Sequence, residues 1–204
     1  MTETLSLTDF REAVQRTVDA GGARITLHLD HSRVHDAVDA LPRRRGIFNA
    51  LGKALFRRLP RSMDADGFLD LAGRRAMYDQ GHYARVQLDD QEWGGRPGRT
   101  LGSLSTGTAP WYSSPLSLFD ALTGATALED HGVDDDPSRP WRHVTTTTDV
   151  SGTEEKIHVW LDDRRVRMLQ LGRNTTSMTF DEFGVDVDEL DWTRLPSHRG
   201  SATS

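Results

Sequence analysis

The 204-residue sequence contains no cysteine. This absence excludes disulfides, thiolate zinc sites, iron–sulfur clusters and cysteine nucleophiles. The sequence also has no run approaching the roughly 18 consecutive apolar residues that a membrane-spanning helix needs. At its N-terminus, acidic residues stand where a secretory signal peptide carries basic ones, and no apolar segment follows them. We therefore expect a globular protein of the cytoplasm.

Motifs of catalysis and nucleotide binding are also missing. The sequence has no G-x-S-x-G elbow, no H-E-x-x-H pair and no Walker loop. The stretch rich in serine and glycine that begins at Gly102 lacks the lysine that would hold a phosphate. We therefore expect neither an enzymatic activity nor a cofactor.

Three histidines lie close together in the sequence, as the ligands of a zinc site can. His28 falls near the end of a predicted strand, and His31 and His35 follow it. If the strand ends at Asp30 and a helix begins near Ser32, the three imidazoles do not share one face. They would then not converge on a tetrahedral ion, and we predict no metal site.

The segment from Asp64 to Asp70 begins like a calcium-binding loop. A loop of the EF-hand type needs a glycine at its sixth position and a glutamate at its twelfth. Leu69 and Arg75 occupy those positions in this chain. A tight turn at Asp66–Gly67 between two strands is the better interpretation.

Charge is distributed unevenly along this acidic chain, which has a formal net charge of −6. Residues 1–100 carry 16 basic and 14 acidic side chains, whereas residues 101–204 carry 9 and 17. Domains that bind nucleic acid usually have a net positive charge, so the composition argues against nucleic acid as a partner. The length suits one domain. We place that domain at residues 1–196 and a disordered polar tail at 197–204.

Apolar residues at helical spacing predict two short helices. The first lies within Ser6–Gly22, where Thr8 is the expected N-cap and a Gly-Gly pair ends the helix. The second begins after Ser114 with Pro115 in its first turn and ends at Gly124. Each helix presents one apolar stripe, so each should pack against a sheet.

Alternating apolar and polar residues predict strands in most of the remaining chain. In the strand that begins near His82, for example, Tyr83, Arg85 and Gln87 lie on one face and the apolar residues between them on the other. Predicted strands follow one another closely and are joined by tight turns. The sequence therefore predicts an α+β fold with a mostly antiparallel sheet.

The last third of the chain resembles a known family. The segments Ile157–Leu171 and Met178–Leu190, followed by Pro196, are similar to the C-terminal half of the actinobacterial LppX/LprG-type lipoproteins. That family shares its fold with the LolA lipoprotein carriers. A V-W-L-D strand, a basic second strand and a closing F-G-V-x-V segment carry the resemblance. The helix at Pro115 and the opening helix also fit, so the similarity spans most of residues 6–196.

The resemblance implies a strongly curved, mostly antiparallel sheet, or half-barrel, with a few helices over its concave side. Proteins of this family hold the acyl chains of lipids or lipoproteins in the apolar cavity there. The apolar residues at every second strand position should then gather on the hollow side and contact a hydrophobic ligand. The residues that we expect to contact this ligand are Ile25, Leu27, Leu29, Leu51, Leu55, Leu118 and Leu122.

Between Arg43 and Arg61 this acidic chain has seven basic residues and no acidic one. At ~100° per residue, most apolar side chains of Ile47–Leu59 fall within one arc, which predicts an amphipathic helix in an insertion at about residues 32–62. Its apolar face can pack on the sheet with the cations in solvent. Alternatively, the helix can lie on an anionic membrane surface or a protein partner. The candidate contact residues are Arg43, Arg44, Arg45, Lys53, Arg57 and Arg58.

Two functions are consistent with these features. The first is a non-catalytic carrier or sensor of a hydrophobic ligand such as a lipid acyl chain, associated with a membrane surface through the basic helix. The second is an intracellular protein–protein adaptor or regulator that uses the same fold without cargo. The sequence shows no lipobox cysteine and no signal peptide, so we expect either function in the cytoplasm or peripheral to the membrane.

Sedimentation with liposomes tests the membrane interpretation. We expect the protein to sediment with anionic vesicles, and less so at high salt, because salt screens the attraction. Each Lys or Arg near anionic lipid contributes roughly 1 kcal/mol, so a variant without five of the arginines should remain in the supernatant. Equal sedimentation of parent and variant would contradict the interpretation. The five positions to change to serine are Arg43, Arg44, Arg45, Arg57 and Arg58.

Overall fold

The computed structural model describes residues 4–30, 62–108, 114–135, 139–150, 153–162, 164–171 and 177–197. The basic insertion predicted at about 32–62 lies outside these residues except for Ser62, where a strand begins. The part of the predicted tail beyond Ser197 lies outside them as well. The predicted contact residues that fall outside the description are Leu51, Leu55, Arg43, Arg44, Arg45, Lys53, Arg57 and Arg58.

The described residues form two α-helices and one short 3-10 helix. Helix α1 spans Leu7–Asp19, helix α2 spans Pro115–Thr123, and the 3-10 helix spans Leu101–Ser103. No helix in the described parts of the chain is long and apolar enough to cross a membrane.

Eleven strands make up the rest of the regular structure in the described residues. The first six are β1 (Gly22–Asp30), β2 (Ser62–Asp70), β3 (Arg75–Asp79), β4 (Ala84–Leu88), β5 (Gln91–Gly95) and β6 (Thr106–Thr108). The last five are β7 (Ala127–Val133), β8 (Arg142–Val150), β9 (Thr153–Leu161), β10 (Val166–Leu171) and β11 (Ser177–Val185).

All eleven strands belong to one antiparallel sheet with the order β6-β5-β4-β3-β2-β1-β11-β10-β9-β8-β7. Strands β1 to β6 and β7 to β11 form two consecutive series, and the pairing of β1 with β11 joins them in the middle. The outermost strands β6 and β7 do not pair with each other, so the sheet is open.

Contacts of α2 show how strongly the sheet curves. This helix touches both β3 and β8, which stand fourth and tenth in the strand order. Six strand spacings of roughly 4.8 Å would separate them by roughly 29 Å in a flat sheet. A helix of nine residues is only about 13 Å long. The sheet must therefore bend around α2, and the predicted α+β half-barrel is confirmed.

The N-terminus of α1 differs from the prediction by two residues. Ser6, not Thr8, is the N-cap: its hydroxyl accepts a hydrogen bond from the Asp9 N–H at 3.2 Å, and the Asp9 carboxylate accepts from the Ser6 N–H at 3.1 Å. This is a complete capping box with aspartate in place of glutamate. The Asp9 pKa is lowered, first of all by the hydrogen bond from the Ser6 side chain.

The main hydrophobic core lies between the concave face of the sheet and the two α-helices. Phe10 and Val14 of α1 and Phe119 of α2 are buried there with alternate residues of the strands. Phe119 and Phe180 meet edge to face, with ring centroids 6.0 Å apart. In this part of the sheet, the apolar residues do gather on the hollow side.

A second core lies on the convex face and corrects the prediction for β4. Ala84 and Val86 pack there with Met77 of β3, under a C-terminal segment that includes Trp192 and Leu195. The expectation that apolar strand residues all gather on the hollow side is therefore wrong for this strand. The physical reason is that residues 187–195 supply a second apolar cover, on the other side of the sheet.

The predicted turn at Asp66–Gly67 is part of a strand instead. Gly67 pairs with Tyr78 inside the β2–β3 hairpin, and a Cβ at Gly67 would collide with the Met77 carbonyl oxygen. Glycine is thus required here for close approach of two strands, not for a turn at Asp66–Gly67. The polar residues after Asp130 also belong to a strand, because β7 continues to Val133 and pairs with β8.

Replacement of Trp192 by alanine tests the second core. Trp192 is 8% exposed and donates from Nε1 to the Val187 carbonyl at 2.9 Å, so the variant loses packing and a buried hydrogen bond. We expect the free energy of unfolding to fall by roughly 3–5 kcal/mol. Val133→Ala, at a side chain that is 52% exposed, should change it by less than about 0.5 kcal/mol. Urea denaturation measures both, and equal values would contradict the assignment.

Candidate functional site: the concave face of the sheet

The concave face is an apolar wall covered by α2. Ile25 and Leu27 of β1 are both 0% exposed, and Leu118 and Leu122 of α2 are 1% and 0% exposed. The structure brings these four predicted contact residues together in one core. The side chain of Leu29, although in β1, lies outside the described residues, and the role of all of them as ligand contacts stays a prediction.

Polar contacts of Asp120 and Ala125 hold α2 over this wall. The Arg74 guanidinium donates to both carboxylate oxygens of Asp120 at 3.0 and 2.9 Å. That hydrogen bond is the main reason why the pKa of Arg74 is raised. Arg11 of α1 donates to the Ala125 carbonyl at 3.1 Å, just beyond the helix. These bonds lie near the surface, where each stabilises the cover only modestly.

The wall ends in a polar cluster on β3, β4 and β5, which we call the polar corner. Its central residues are Tyr78, Arg85 and Glu92. The Tyr78 hydroxyl donates to Glu92 Oε1 at 2.9 Å, and Arg85 Nη1 donates to Glu92 Oε2 at 2.8 Å. Tyr78 is itself part of the main core, so the polar corner is continuous with the apolar wall.

The electrostatics of the polar corner fix its protonation state. Burial strongly raises the pKa of Tyr78, and the negative charge of Glu92 raises it further. Burial lowers the pKa of Arg85, but the interactions of its guanidinium with Tyr78 and Glu92 raise this pKa by more. The pKa of Arg85 is therefore raised overall. The phenol of Tyr78 therefore stays neutral and the guanidinium of Arg85 stays charged at neutral pH.

Three further residues complete the polar corner. Tyr83 forms its rim: its ring lies 5.4 Å from the Arg85 guanidinium, and a Cβ at Gly94 would collide with its hydroxyl. On the other side, the Ser114 hydroxyl, which caps α2, donates to Gln87. The polar corner thus lies between solvent at Tyr83 and the N-terminus of the covering helix.

Sequence reasoning placed Tyr83, Arg85 and Gln87 on one face of a strand but missed their role. It expects the apolar residues of each strand on the hollow side and therefore assigns these polar residues no role there. One signal could have identified them. The opposite face of the same strand is apolar, so another segment of the chain has to cover it, and the polar face can then turn inward. No sequence pattern shows on which side the helix packs.

Three histidines missed by the sequence reasoning lie on the convex face, across β7, β8 and β9. The rings of His131 and His143 stack with centroids 4.6 Å apart, as do those of His143 and Trp160. His143 Nε2 and His158 Nδ1 share a hydrogen bond of 3.0 Å. Burial lowers the pKa of both His143 and His158, and the charge that His131 can carry lowers them further.

Within the described ranges, no three His, Cys, Asp or Glu residues are arranged to hold a metal ion. His28, which the sequence suggested as a ligand candidate, instead contacts Asp64 at 2.7 Å across β1 and β2. His31 and His35 lie outside the described residues.

The fold of this chain is similar to the folds of several solved structures. LprF from Mycobacterium bovis matches with a TM-score of 0.51 at 10% identity, covering 94% of this chain and 100% of its own. The lipoprotein LppX from Mycobacterium tuberculosis has a TM-score of 0.42 at 14% identity, covering 87% of this chain and 94% of LppX. A putative outer membrane lipoprotein-sorting protein domain from Vibrio parahaemolyticus has a TM-score of 0.43 at 10% identity, covering 95% and 84%.

The match to LprF supports the fold of this chain, because it covers both chains almost completely. The fold that the sequence resemblance to LppX/LprG-type proteins implied is thereby confirmed. No protein-family model matches the sequence, and no curated protein matches it.

The histidine cluster predicts a pH dependence of stability. Because the pKa values of His143 and His158 are lowered in the folded protein, the unfolded chain takes up protons first as the pH falls below its own value of about 6.5. The two histidines therefore make their full contribution to stability above a pH of about 6.5. This contribution is lost as the pH falls toward the lower pKa values that they have in the folded protein.

A variant with His143→Gln and His158→Gln should lack this loss. Urea denaturation at pH 7.5 and 5.5 gives the change in the free energy of unfolding for each protein, and the change should be smaller for the variant. Carboxylates contribute equally to both proteins. An identical change in parent and variant would show that the cluster does not titrate as inferred.

Proposed function

We propose that this protein is a non-catalytic carrier or sensor that binds a hydrophobic ligand, such as a lipid acyl chain, on the concave face under α2. The observation that carries the proposal is the continuous apolar wall of a half-barrel, covered by α1 and by the nine-residue helix α2. The likeness to LprF supports the fold on which it rests. The sequence resemblance to a family that holds acyl chains supports the choice of ligand.

Binding under α2 requires this helix to move, because its side chains, together with Phe10 and Val14 of α1, fill the described part of the concave face. Leu116, Leu118, Phe119 and Leu122 are all buried. Exposing four such side chains costs roughly 2 kcal/mol each, and burying a methylene group returns about 0.8 kcal/mol. An acyl chain of about ten or more methylene groups could therefore take their place. We expect chains of about sixteen carbons to bind and chains of eight to bind weakly or not at all.

Native mass spectrometry of the purified protein tests the function. Co-purified lipid, or a complex formed on incubation with a long-chain lipid, would support the carrier. A protein that stays free of lipid under both conditions would contradict it. That outcome would favour the alternative, an adaptor or regulator that uses the same sheet as a platform for another protein.

An engineered disulfide tests whether α2 is the movable cover. A Cβ at Gly124 would lie 3.2 Å from Thr148 Oγ1 of β8, and φ at Gly124 is −85°, so we expect a disulfide to form in the variant Gly124→Cys with Thr148→Cys. The chain has no other cysteine. We expect the oxidised protein to lose most of its binding of a fluorescent C16 probe and the reduced protein to regain it.

The reduced form of the same molecule is the matched control. It carries both substitutions, so any packing defect at Thr148 affects the two states equally. Equal binding by the oxidised and reduced forms would show that the ligand does not enter under α2.

Association with an anionic membrane surface through residues 43–61, which we call the basic block, remains part of this proposal. Such a contact would place the carrier next to the bilayer that donates or receives its ligand. The charge pattern of residues 43–61 supports it, and the liposome experiment decides it independently of ligand binding.

A further inference from the structure

We propose that the polar corner binds the uncharged, oxygen-bearing head of the ligand. The inference rests on the proposed function, and it names the part of the ligand that the apolar wall cannot recognise. The ligand would be an apolar chain that ends in a hydrogen-bond acceptor such as an ester, with the chain against the wall and the acceptor at Arg85.

Stability alone does not account for the polar corner. Arg85 and Glu92 have side chains that are 29% and 10% exposed, and Tyr78 is 1% exposed. Replacing a buried ion pair by apolar side chains of similar size often leaves stability unchanged or raises it. A cluster of this kind at the end of an apolar wall is therefore better explained by what it binds.

Arg85 has a hydrogen-bond donor to spare. Its Nη1 is used by Glu92, but its Nε is buried and has no hydrogen-bond partner. A buried donor without a partner costs free energy, and an acceptor oxygen of a ligand would remove that cost. The free donor thus specifies an oxygen acceptor at this position.

Charge balance specifies that the head is uncharged. The positive charge of Arg85 and the negative charge of Glu92 cancel, and the hydroxyl of Tyr78 carries no charge. A carboxylate or phosphate would bring a net charge into a buried site and would approach Glu92 as well as Arg85. Its desolvation would not be repaid, whereas an ester oxygen needs only the one hydrogen bond.

The Tyr83 ring occupies the place that such a head would take. It fills the space left by the missing side chain of Gly94, since a Cβ there would collide with the Tyr83 hydroxyl. Tyr83 is 36% exposed, so it can turn outward without breaking a core contact. The head would then lie between the Arg85 guanidinium and the Tyr83 ring.

Competition for a bound fluorescent acyl probe tests the inference with three ligands of equal chain length: a methyl ester, a carboxylate at pH 8 and an alkane. The parent should prefer the ester over each of the others by about tenfold or more, as expected for one buried hydrogen bond. The variant Arg85→Leu with Glu92→Gln keeps an acceptor for Tyr78 but removes the donor. It should bind the alkane at least as well as the ester.

The ion pair between Arg142 and Asp130 provides the matched control. Its side chains are 21% and 5% exposed, close to the values for Arg85 and Glu92, and it lies on β7 and β8 away from the polar corner. Arg142→Leu with Asp130→Asn should keep the preference of the parent. Arg85→Lys, which keeps the charge but lacks Nε, gives a second, milder test and should also lose the preference.

The outcomes separate this inference from the function on which it rests. If the parent binds the chains without preferring the ester, or if the polar-corner variants keep the preference, the inference is wrong and the carrier function stands. If the parent binds none of the three ligands and no lipid is found by native mass spectrometry, the carrier function is wrong and this inference falls with it.

Discussion

The contact of one short helix with two distant strands determines the rest of this structure. Helix α2 reaches both β3 and β8, which is possible only because the sheet curves. Curvature brings apolar side chains from both strand series within reach of one cover, and the pairing of β1 with β11 closes the gap between the series. Without that pairing, each series would be a small open sheet with an uncovered apolar face.

The sheet has a second cover on its convex side, and this changes the chemistry of the first. Because residues 187–195 cover the apolar face of β4 from outside, the polar face of that strand turns inward. Arg85 and Gln87 therefore lie beside the covering helix and not in solvent. One arrangement thus explains both the second core and the polar corner, and it makes the concave face amphipathic.

An amphipathic concave face suits the proposed ligand better than a uniformly apolar one. An apolar wall distinguishes chains by length, since each methylene group adds a similar increment. It distinguishes head groups poorly. A buried donor at a fixed place adds that second kind of selectivity, because a ligand without the matching acceptor leaves the donor without a partner. The histidine cluster lies on the opposite face of the sheet and requires a separate explanation.

The sequence by itself determined the local elements and the class of the fold. Ser114, Pro115 and Gly124 set the limits of α2 through capping and backbone preferences, which act over a few residues, and period-two alternation identified most strands. Tertiary structure alone decided which side of β4 is concave, why Gly67 is a glycine, and that Tyr78, Arg85 and Glu92 meet. Alternation distinguishes two faces of a strand but does not say what covers each of them. That depends on segments far away in the chain, here α2 on one side and residues 187–195 on the other.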